Sequence, residues 1–185
     1  MVASLFIRRA LRYLNQAGVI AYPTEAVWGL GCDPLNPQAV LRLLQIKQRP
    51  MEKGLILIAA DWQQLKSYVA NLDPVTEKKI NQTWPGPVTW VVPVANWVPD
   101  YLTGGRDTIA IRVSDHDVVR DLCQGFAGPI VSTSANISQR PAVRRSWQLR
   151  KLFLNKIDFI VPGALGGLKS ATPIRNALSN QILRN

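Results

Sequence analysis

Hydrophobic and polar residues alternate along the chain with two different periods. Between about residues 4 and 17 the apolar positions recur every three or four residues, which predicts a helix, and the apolar run VIAY at 19–22 predicts a strand. Segments with a helical period and segments with a strand-like pattern continue to follow each other up to residue 161. The former predict further helices at 37–46, after Asp61, from Asp73-Pro74, from Asp117 and at 146–154. The latter predict further strands at 55–60, 88–94, 108–113, 129–134 and 157–161.

This order of elements predicts an α/β fold in a single domain over residues 1–185, because the chain shows no internal repeat and no linker. The strands at 88–94 and 108–113 are separated only by the loop 95–107, so we expect them to pair antiparallel. The sheet is therefore expected to mix parallel and antiparallel strands, with flanking helices.

Composition narrows the class of protein. No stretch approaches the 18 apolar residues of a membrane span, and arginines interrupt the apolar N-terminal positions where a signal peptide would be continuous. We therefore expect a soluble, cytoplasmic protein. Cys32 and Cys123 have no metal-ligand or redox spacing and are expected to be ordinary thiols.

The charge is positive and unevenly distributed. The net charge is +10, and residues 122–185 carry nine basic residues against one acid, Asp158. Such a surface attracts phosphates, either of a nucleotide or of a nucleic acid. Charge alone leaves both partners open, as well as a basic surface that only keeps the protein soluble.

Three segments carry candidate chemistry. The first, 22-YPTEAVWGLGCD-33, follows a strand and is expected to form a loop at the carboxyl edge of the sheet, where α/β proteins bind ligands. The alternative is that Thr24 and Glu25 only cap a helix or turn.

The second segment, 45-QIKQRPMEKGLILI-58, places three cations beside a buried strand. Lys47 and Arg49 lie on one side of the chain if it is extended there, as Pro50 favours for the residue before it. With Lys53 they suit triphosphate oxygens, since arginine offers a planar fork and lysine a point charge. A solvated helix end is the alternative.

The third segment, 129-PIVSTSANIS-138, ends a strand in hydroxyl and amide side chains. Ser132 and Ser134 point to one face of an extended strand and Thr133 to the other. A buried hydroxyl without a partner costs about 1–3 kcal/mol, so this density favours a binding role over a core role. A polar turn remains the alternative. A fourth run, 163-GALGGLKS-170, nearly matches a phosphate loop, but Leu168 replaces its glycine and Pro173 disfavours the helix it requires.

Five motifs occur together: AYPTEAVWGLGCDP, IKQRP with KGLILIAA, WPGPVTWVVP, TIAIRV and VSTSANIS, spanning residues 20 to about 138. In these the chain resembles the YrdC/TsaC family of threonylcarbamoyl-AMP synthases, and its length is similar to that of the short single-domain bacterial members. The resemblance implies a twisted open sheet with a basic concave face. It also implies a reaction in which L-threonine, bicarbonate and ATP give threonylcarbamoyl-adenylate and pyrophosphate.

The resemblance further implies partners. The adenylate would supply N6-threonylcarbamoyladenosine at position 37 of tRNA, through other threonylcarbamoyl-transfer proteins. Mg²⁺ would arrive on the ATP phosphates, in keeping with a sequence that has no DxD-like or ExxH spacing. No protein nucleophile is needed, because the site has to hold the reactants together and neutralise charge.

Position by position, the resemblance implies roles for ten residues. Lys47 and Arg49 match the KxR motif and would be the catalytic contacts to ATP phosphates. The further ATP-binding residues would be Lys53, Thr108, Ser134, Asn136 and Arg184, and the threonine-binding residues would be Thr24, Arg112 and Ser132.

Two positions depart from the pattern. Gln139 stands where many relatives have glycine after Ser138, and Ala142 falls where some relatives place a nucleotide-contacting serine. The main alternative function is a non-catalytic RNA-binding protein that uses the basic face. It does not explain why hydroxyls and an amide cluster at a strand end, and direct RNA binding is compatible with the enzyme.

Overall fold

A computed structural model describes residues 2–184, and side chains from residue 5. The helices are α1 (Val2–Leu14), α2 (Pro37–Lys47), α3 (Gln63–Lys66), α4 (Pro74–Asn81), α5 (Asp100–Thr103), α6 (Asp117–Phe126) and α7 (Ser146–Phe153), with a 3-10 turn at Met51–Lys53. The strands are β1 (Ile20–Pro23), β2 (Trp28–Gly31), β3 (Ile56–Ala59), β4 (Thr89–Pro93), β5 (Thr108–Val113), β6 (Ile130–Ser134), β7 (Phe159–Ile160), β8 (Ile174–Asn176) and β9 (Ile182–Arg184).

Within the described residues these strands form one open sheet in the order β7-β1-β2-β6-β3-β5-β4-β8-β9. The pairs β1–β7, β3–β5 and β4–β8 are parallel, and the other five are antiparallel. The predicted α/β fold with a mixed sheet is confirmed, as is the antiparallel pairing of β4 with β5.

Local sequence signals explain where two helices begin. The side chain of Asn36 accepts a hydrogen bond from the amide of Ala39 at 3.1 Å, and Pro37 occupies the first turn of α2, as predicted. Asp73 caps α4 in the same way by accepting from Val75 and Thr76. The sequence-predicted starts of α2 and α4 are therefore confirmed.

The two faces of the sheet are covered differently. Along β6, Ile130 packs with α1 and α6 on one face, whereas Val131 packs into the larger core on the other. Further along β6, the face that carries Ile130 continues into Ser132 and Ser134, and there its surface lines a cleft. The site described below lies on that surface.

The structure differs from the sequence prediction at several elements. β2 lies inside the segment 22–33 that was expected to be a loop, and it forms a hairpin with β1. The loop 95–107 contains α5, and β8 and β9 were not predicted. Among the described residues, none of the helices is long and apolar enough to cross a membrane.

Candidate active site

A cleft of about 520 Å³ lies on the open face of the sheet, between the strand ends and the β8–β9 hairpin. Eight of the ten predicted site residues line it: Thr24, Arg49, Lys53, Thr108, Arg112, Ser132, Ser134 and Arg184. The charged residues that line the cleft are all cationic: Arg49, Lys53, Arg106, Arg112 and Arg184. The cleft therefore suits an anion with several charges.

The floor of the cleft follows from strand alternation. Ser132 pairs with Ile56 of β3 and Ser134 pairs with Gly29 of β2, so the hydroxyls of β6 lie between small or apolar neighbours. Thr108 and Arg112, four residues apart on β5, point to the same face. The predicted shared face of Ser132 and Ser134 is confirmed.

Lys47 lies directly behind the floor rather than on the cleft wall. Its side chain is 2% exposed, and its ammonium donates to the carbonyl oxygens of Ser134 and Asn136 and to the Asn136 Oδ1 at 3.1 Å. Burial, and then the charge of Arg49, lower the pKa of Lys47 to about 7. The three oxygen acceptors match the three N–H groups of the charged form and hold the strand end in place.

Asn136 completes this cluster. Its Oδ1 also accepts a hydrogen bond from the Ser134 hydroxyl at 2.7 Å, and its amide nitrogen donates to the carbonyl of Arg140. The KxR motif, Lys47 to Arg49, and the SxN motif, Ser134 to Asn136, thus meet in space. The expected extended conformation is wrong for Lys47, because α2 continues through it and ends at Gln48 in a left-handed conformation.

Arg49 emerges on the cleft wall beside the 3-10 turn. Its guanidinium donates to the carbonyl of Gly54 at 2.9 Å and to that of Lys53 at 3.3 Å. Desolvation, and then the charges of Arg106 and Arg184, lower the pKa of Arg49. The hydrogen-bond acceptors of this guanidinium are thus neutral carbonyl groups, and its neighbouring charges are positive like its own. A bound anion would reduce the repulsion between these positive charges.

Arg112 lies at the other end of the cleft and is 5% exposed. Its guanidinium donates to the Thr172 hydroxyl at 2.7 Å and lies 3.4 Å from Glu25 Oε2. The other Glu25 oxygen accepts from the Ser114 hydroxyl at 2.7 Å. Glu25 therefore positions Arg112 and neutralises it, a role that the sequence analysis did not assign to Glu25.

The C-terminal hairpin borders the same end. Arg184 donates to the carbonyl of Thr172 at 2.8 Å, so that Thr172 contacts both Arg112 and Arg184. Desolvation, and then the charge of Arg112, lower the pKa of Arg184. Arg184 thus lines the cleft, where the resemblance predicts an ATP-binding residue.

The segment 163–170 forms no helix, as the sequence predicts from Pro173. It packs instead on the loop after β1. The amides of Gly166 and Leu168 donate to the carbonyls of Thr24 and Glu25 at 3.0 and 2.9 Å. This segment therefore fixes the backbone beside the predicted threonine contact.

Comparison with known proteins places this geometry in a family. A family model described as telomere recombination, Sua5/YciO/YrdC, matches residues 12–185. The chain belongs to the Sua5/YciO/YrdC family. A protein of Halorhodospira halophila named threonylcarbamoyl-AMP synthase is 52% identical over 96% of this chain and 93% of its own. One of Pseudomonas aeruginosa with the same name is 46% identical over 100% of this chain and 99% of its own.

Among solved structures, P. abyssi Sua5 complexed with L-threonine matches with a TM-score of 0.87 and 32% identity. The match covers 92% of this chain and 50% of that chain, so this protein spans about half the length of the P. abyssi Sua5 chain. The predicted resemblance to the YrdC family is confirmed.

The two departures from the family pattern have different surroundings. Ala142 lines the cleft without a hydroxyl to offer. Gln139 has a φ of 67°, in the left-handed region that favours glycine. The loop after the SxN motif thus keeps a conformation typical of glycine even though this member of the Sua5/YciO/YrdC family has a glutamine there.

A resident metal does not fit the cleft. Among the described residues no group of three or more histidines, cysteines, aspartates or glutamates is close enough to hold an ion, and the buried Glu25 is already bound to Arg112 and Ser114.

Apart from Glu25, the sequence interpretation also missed Arg106 and Thr172. Arg106 follows two glycines outside the motifs, and Thr172 has no pattern around it that marks a site.

Proposed function

We propose that the protein is a threonylcarbamoyl-AMP synthase, a nucleotidyltransferase that forms threonylcarbamoyl-adenylate and pyrophosphate from L-threonine, bicarbonate and ATP. The relatives that carry this name match nearly the whole chain at 46–52% identity. They support the enzyme over the non-catalytic RNA-binding alternative. The observation that carries the proposal in the structure is a cleft lined by a buried arginine, Arg112, and by further cationic and hydroxyl side chains.

The reaction has two steps. The amine of threonine attacks bicarbonate to give a carbamate and water, and a carbamate oxygen then attacks the α-phosphorus of ATP. The bond from that phosphorus to the bridging oxygen breaks, and pyrophosphate leaves with the electron pair. Because no covalent enzyme intermediate is needed, the chain contributes by orienting the reactants and compensating negative charge.

Threonine would bind at the Arg112 end. The guanidinium of Arg112 suits the α-carboxylate, and the hydroxyl of Ser132 and the loop at Thr24 lie beside it on the cleft wall. Support comes from the P. abyssi Sua5 structure, which is complexed with L-threonine. The contact from Glu25 keeps Arg112 in place before the substrate carboxylate arrives.

ATP would bind along the rest of the cleft. Arg49 and Lys53 suit the phosphates, and Ser134, Thr108 and Arg184 line the space left for the remainder of the nucleotide. Lys47 and Asn136 would act from behind the floor, by placing the end of β6 and by adding positive charge. Mg²⁺ enters as part of the substrate, bound to the ATP phosphates.

Omission of single substrates tests the proposal. Purified protein with ATP, Mg²⁺, bicarbonate and threonine is expected to release pyrophosphate, and leaving out threonine or bicarbonate is expected to stop the release. Pyrophosphate release that ignores threonine would refute the assignment. Mass spectrometry of the mixture identifies the adenylate directly.

The product is an activated carbamate for the modification of tRNA position 37 in the cytoplasm, through proteins that transfer the threonylcarbamoyl group. A gel-shift titration with tRNA at two salt concentrations tests whether this chain also touches the RNA. Binding through phosphates would fall steeply as the salt concentration rises.

A further inference from the structure

Arg106 stands opposite Arg49 across Gly54. The Arg106 guanidinium donates to the carbonyl of Thr103 at 3.3 Å, and the Arg49 guanidinium donates to the carbonyl of Gly54 at 2.9 Å. A Cβ atom built on Gly54 would lie 3.2 Å from Arg106 Nη1 and 2.9 Å from the Thr103 oxygen. The glycine therefore lets Arg106 approach the place where Arg49 binds the Gly54 carbonyl.

These arginines lack acidic partners. Within the described part of the chain, the salt bridges are Arg42–Asp158, Arg112–Glu25 and Arg120–Asp117. None of them neutralises Arg49, Arg106 or Arg184. Three uncompensated guanidinium groups along one cleft favour a ligand with several negative charges.

Strand β5 separates the two ends of the cleft. Arg106 precedes Thr108, the first residue of β5, and lies with Arg49 at Gly54, whereas Arg112 lies four residues further along the strand, about 13 Å from Thr108. Arg112 marks the proposed threonine end. Arg106 therefore lies at the end farthest from the amino acid, where the leaving part of the triphosphate would be.

We propose that Arg106 binds the β- and γ-phosphates of ATP and stabilises the departing pyrophosphate together with Arg49, an assignment that rests on the proposed function. When the bond between the α-phosphorus and the bridging oxygen breaks, negative charge grows on the β-phosphate. A guanidinium at the cleft rim compensates that charge without donating a proton. Since Arg106 is exposed, it can adjust to the ligand without disturbing the core.

The test compares binding of ATP and AMP, both with Mg²⁺, to the full chain by isothermal titration calorimetry. Arg106→Ala is expected to raise the Kd of ATP by about tenfold or more, the equivalent of one lost charge-assisted contact, while leaving the Kd of AMP nearly unchanged. Inorganic pyrophosphate is expected to lose affinity like ATP. Arg106→Lys should recover part of the loss, because it restores the charge but not the planar fork.

Arg150→Ala is the matched control, since Arg150 is an exposed arginine on α7 outside the cleft. It should bind all three ligands like the unaltered protein. An unchanged Kd of ATP in Arg106→Ala, or an equal loss for ATP and AMP, overturns the proposal. These binding measurements do not require turnover, so they separate a wrong role for Arg106 from a wrong enzyme assignment, which the omission of threonine tests in the unaltered protein.

Discussion

The ammonium of Lys47 lies 3.1 Å from the side-chain oxygen of Asn136, although 89 positions separate the two residues along the chain. One residue ends helix α2, and the other follows strand β6. The contact couples the two motifs that the proposed mechanism assigns to ATP. A sheet order in which these elements were far apart would have removed the site.

Replacing Asn136 with Asp tests this coupling. The change keeps an oxygen for Lys47 and Ser134, removes the donor to the Arg140 carbonyl and adds a negative charge behind the cleft floor. We expect the fold to persist and the affinity for ATP to fall by about tenfold or more, because the new carboxylate neutralises Lys47 and repels phosphate. Calorimetric titration with ATP checks the loss, and circular dichroism checks the fold. Unchanged ATP affinity would disconnect this cluster from nucleotide binding.

The pKa of Lys47 predicts how stability depends on pH. In the folded protein this pKa is about 7, whereas an unfolded lysine stays protonated up to about 10.5. Between these values the unfolded chain binds the additional proton, so the free energy of unfolding rises with pH by about 1.4 kcal/mol per unit relative to Lys47→Met. Below pH 7 the difference between the two proteins should be constant.

Urea denaturation of both proteins at several pH values from 6 to 9 checks this slope. Methionine is similar in length to lysine and does not titrate, so the contribution of other groups cancels. Parallel stability curves for the two proteins would show that Lys47 remains protonated in the fold throughout this range.

The buried pair Glu25–Arg112 predicts a strong mutual dependence. Glu25→Gln leaves a charged guanidinium in a buried site and is expected to lower the free energy of unfolding by about 2–4 kcal/mol. Arg112→Met should be similarly costly, because it leaves the carboxylate alone. The double variant should lose less than the sum of the two, since neither charge remains unpaired.

Denaturation of the four proteins completes a double-mutant cycle. Additive losses would contradict a direct interaction at 3.4 Å. In the same set, Arg112→Met should raise the KM of threonine more than that of ATP, because the proposed contact is to the amino acid carboxylate.

Gln139 predicts a stabilising substitution. Its φ of 67° is unfavourable for a residue with a side chain, so Gln139→Gly should relieve strain and raise the free energy of unfolding by up to about 1 kcal/mol. The greater freedom of glycine in the unfolded chain opposes this gain. Thermal unfolding of the two proteins checks the direction, and a lower melting temperature for Gln139→Gly would mean that the glutamine side chain stabilises the loop.

The sequence predicted the parts of the fold that depend on long apolar periodicity. α2 and β5 were found almost to the residue because capping residues and alternation bound them. β2 was missed because its sequence, Trp-Gly-Leu-Gly, has glycines at every second position and so shows no strand propensity. Gly29 lines the cleft beside Thr24, whereas a Cβ on Gly31 would meet the Val131 carbonyl and the Tyr22 ring. The glycines that hide the strand are therefore required by close packing, and the first of them also makes room for the site.

Site residues were predictable where they fell in motifs and not where their role depends on distant partners. Glu25 is 89 positions from Ser114, and Arg112 is 60 positions from Thr172. No local pattern can show such contacts. β8 and β9 have three residues each and little burial, so their hydrophobic pattern is too short to predict a strand.

The packing of 163–170 on the loop after β1, which contains Thr24 and Glu25, yields the final prediction. A Cβ atom on Gly166 would lie 2.9 Å from the Glu25 Cα, so Gly166→Ala should push this segment away from the loop. We expect the KM of threonine to rise more than that of ATP, because the Thr24 and Glu25 carbonyls lose their amide donors from Gly166 and Leu168. Hydrogen exchange at these two amides should accelerate. Gly128→Ala is the control, since a Cβ there meets no atom within 4 Å. Equal effects of the two substitutions on threonine would show that the segment has no part in holding the loop.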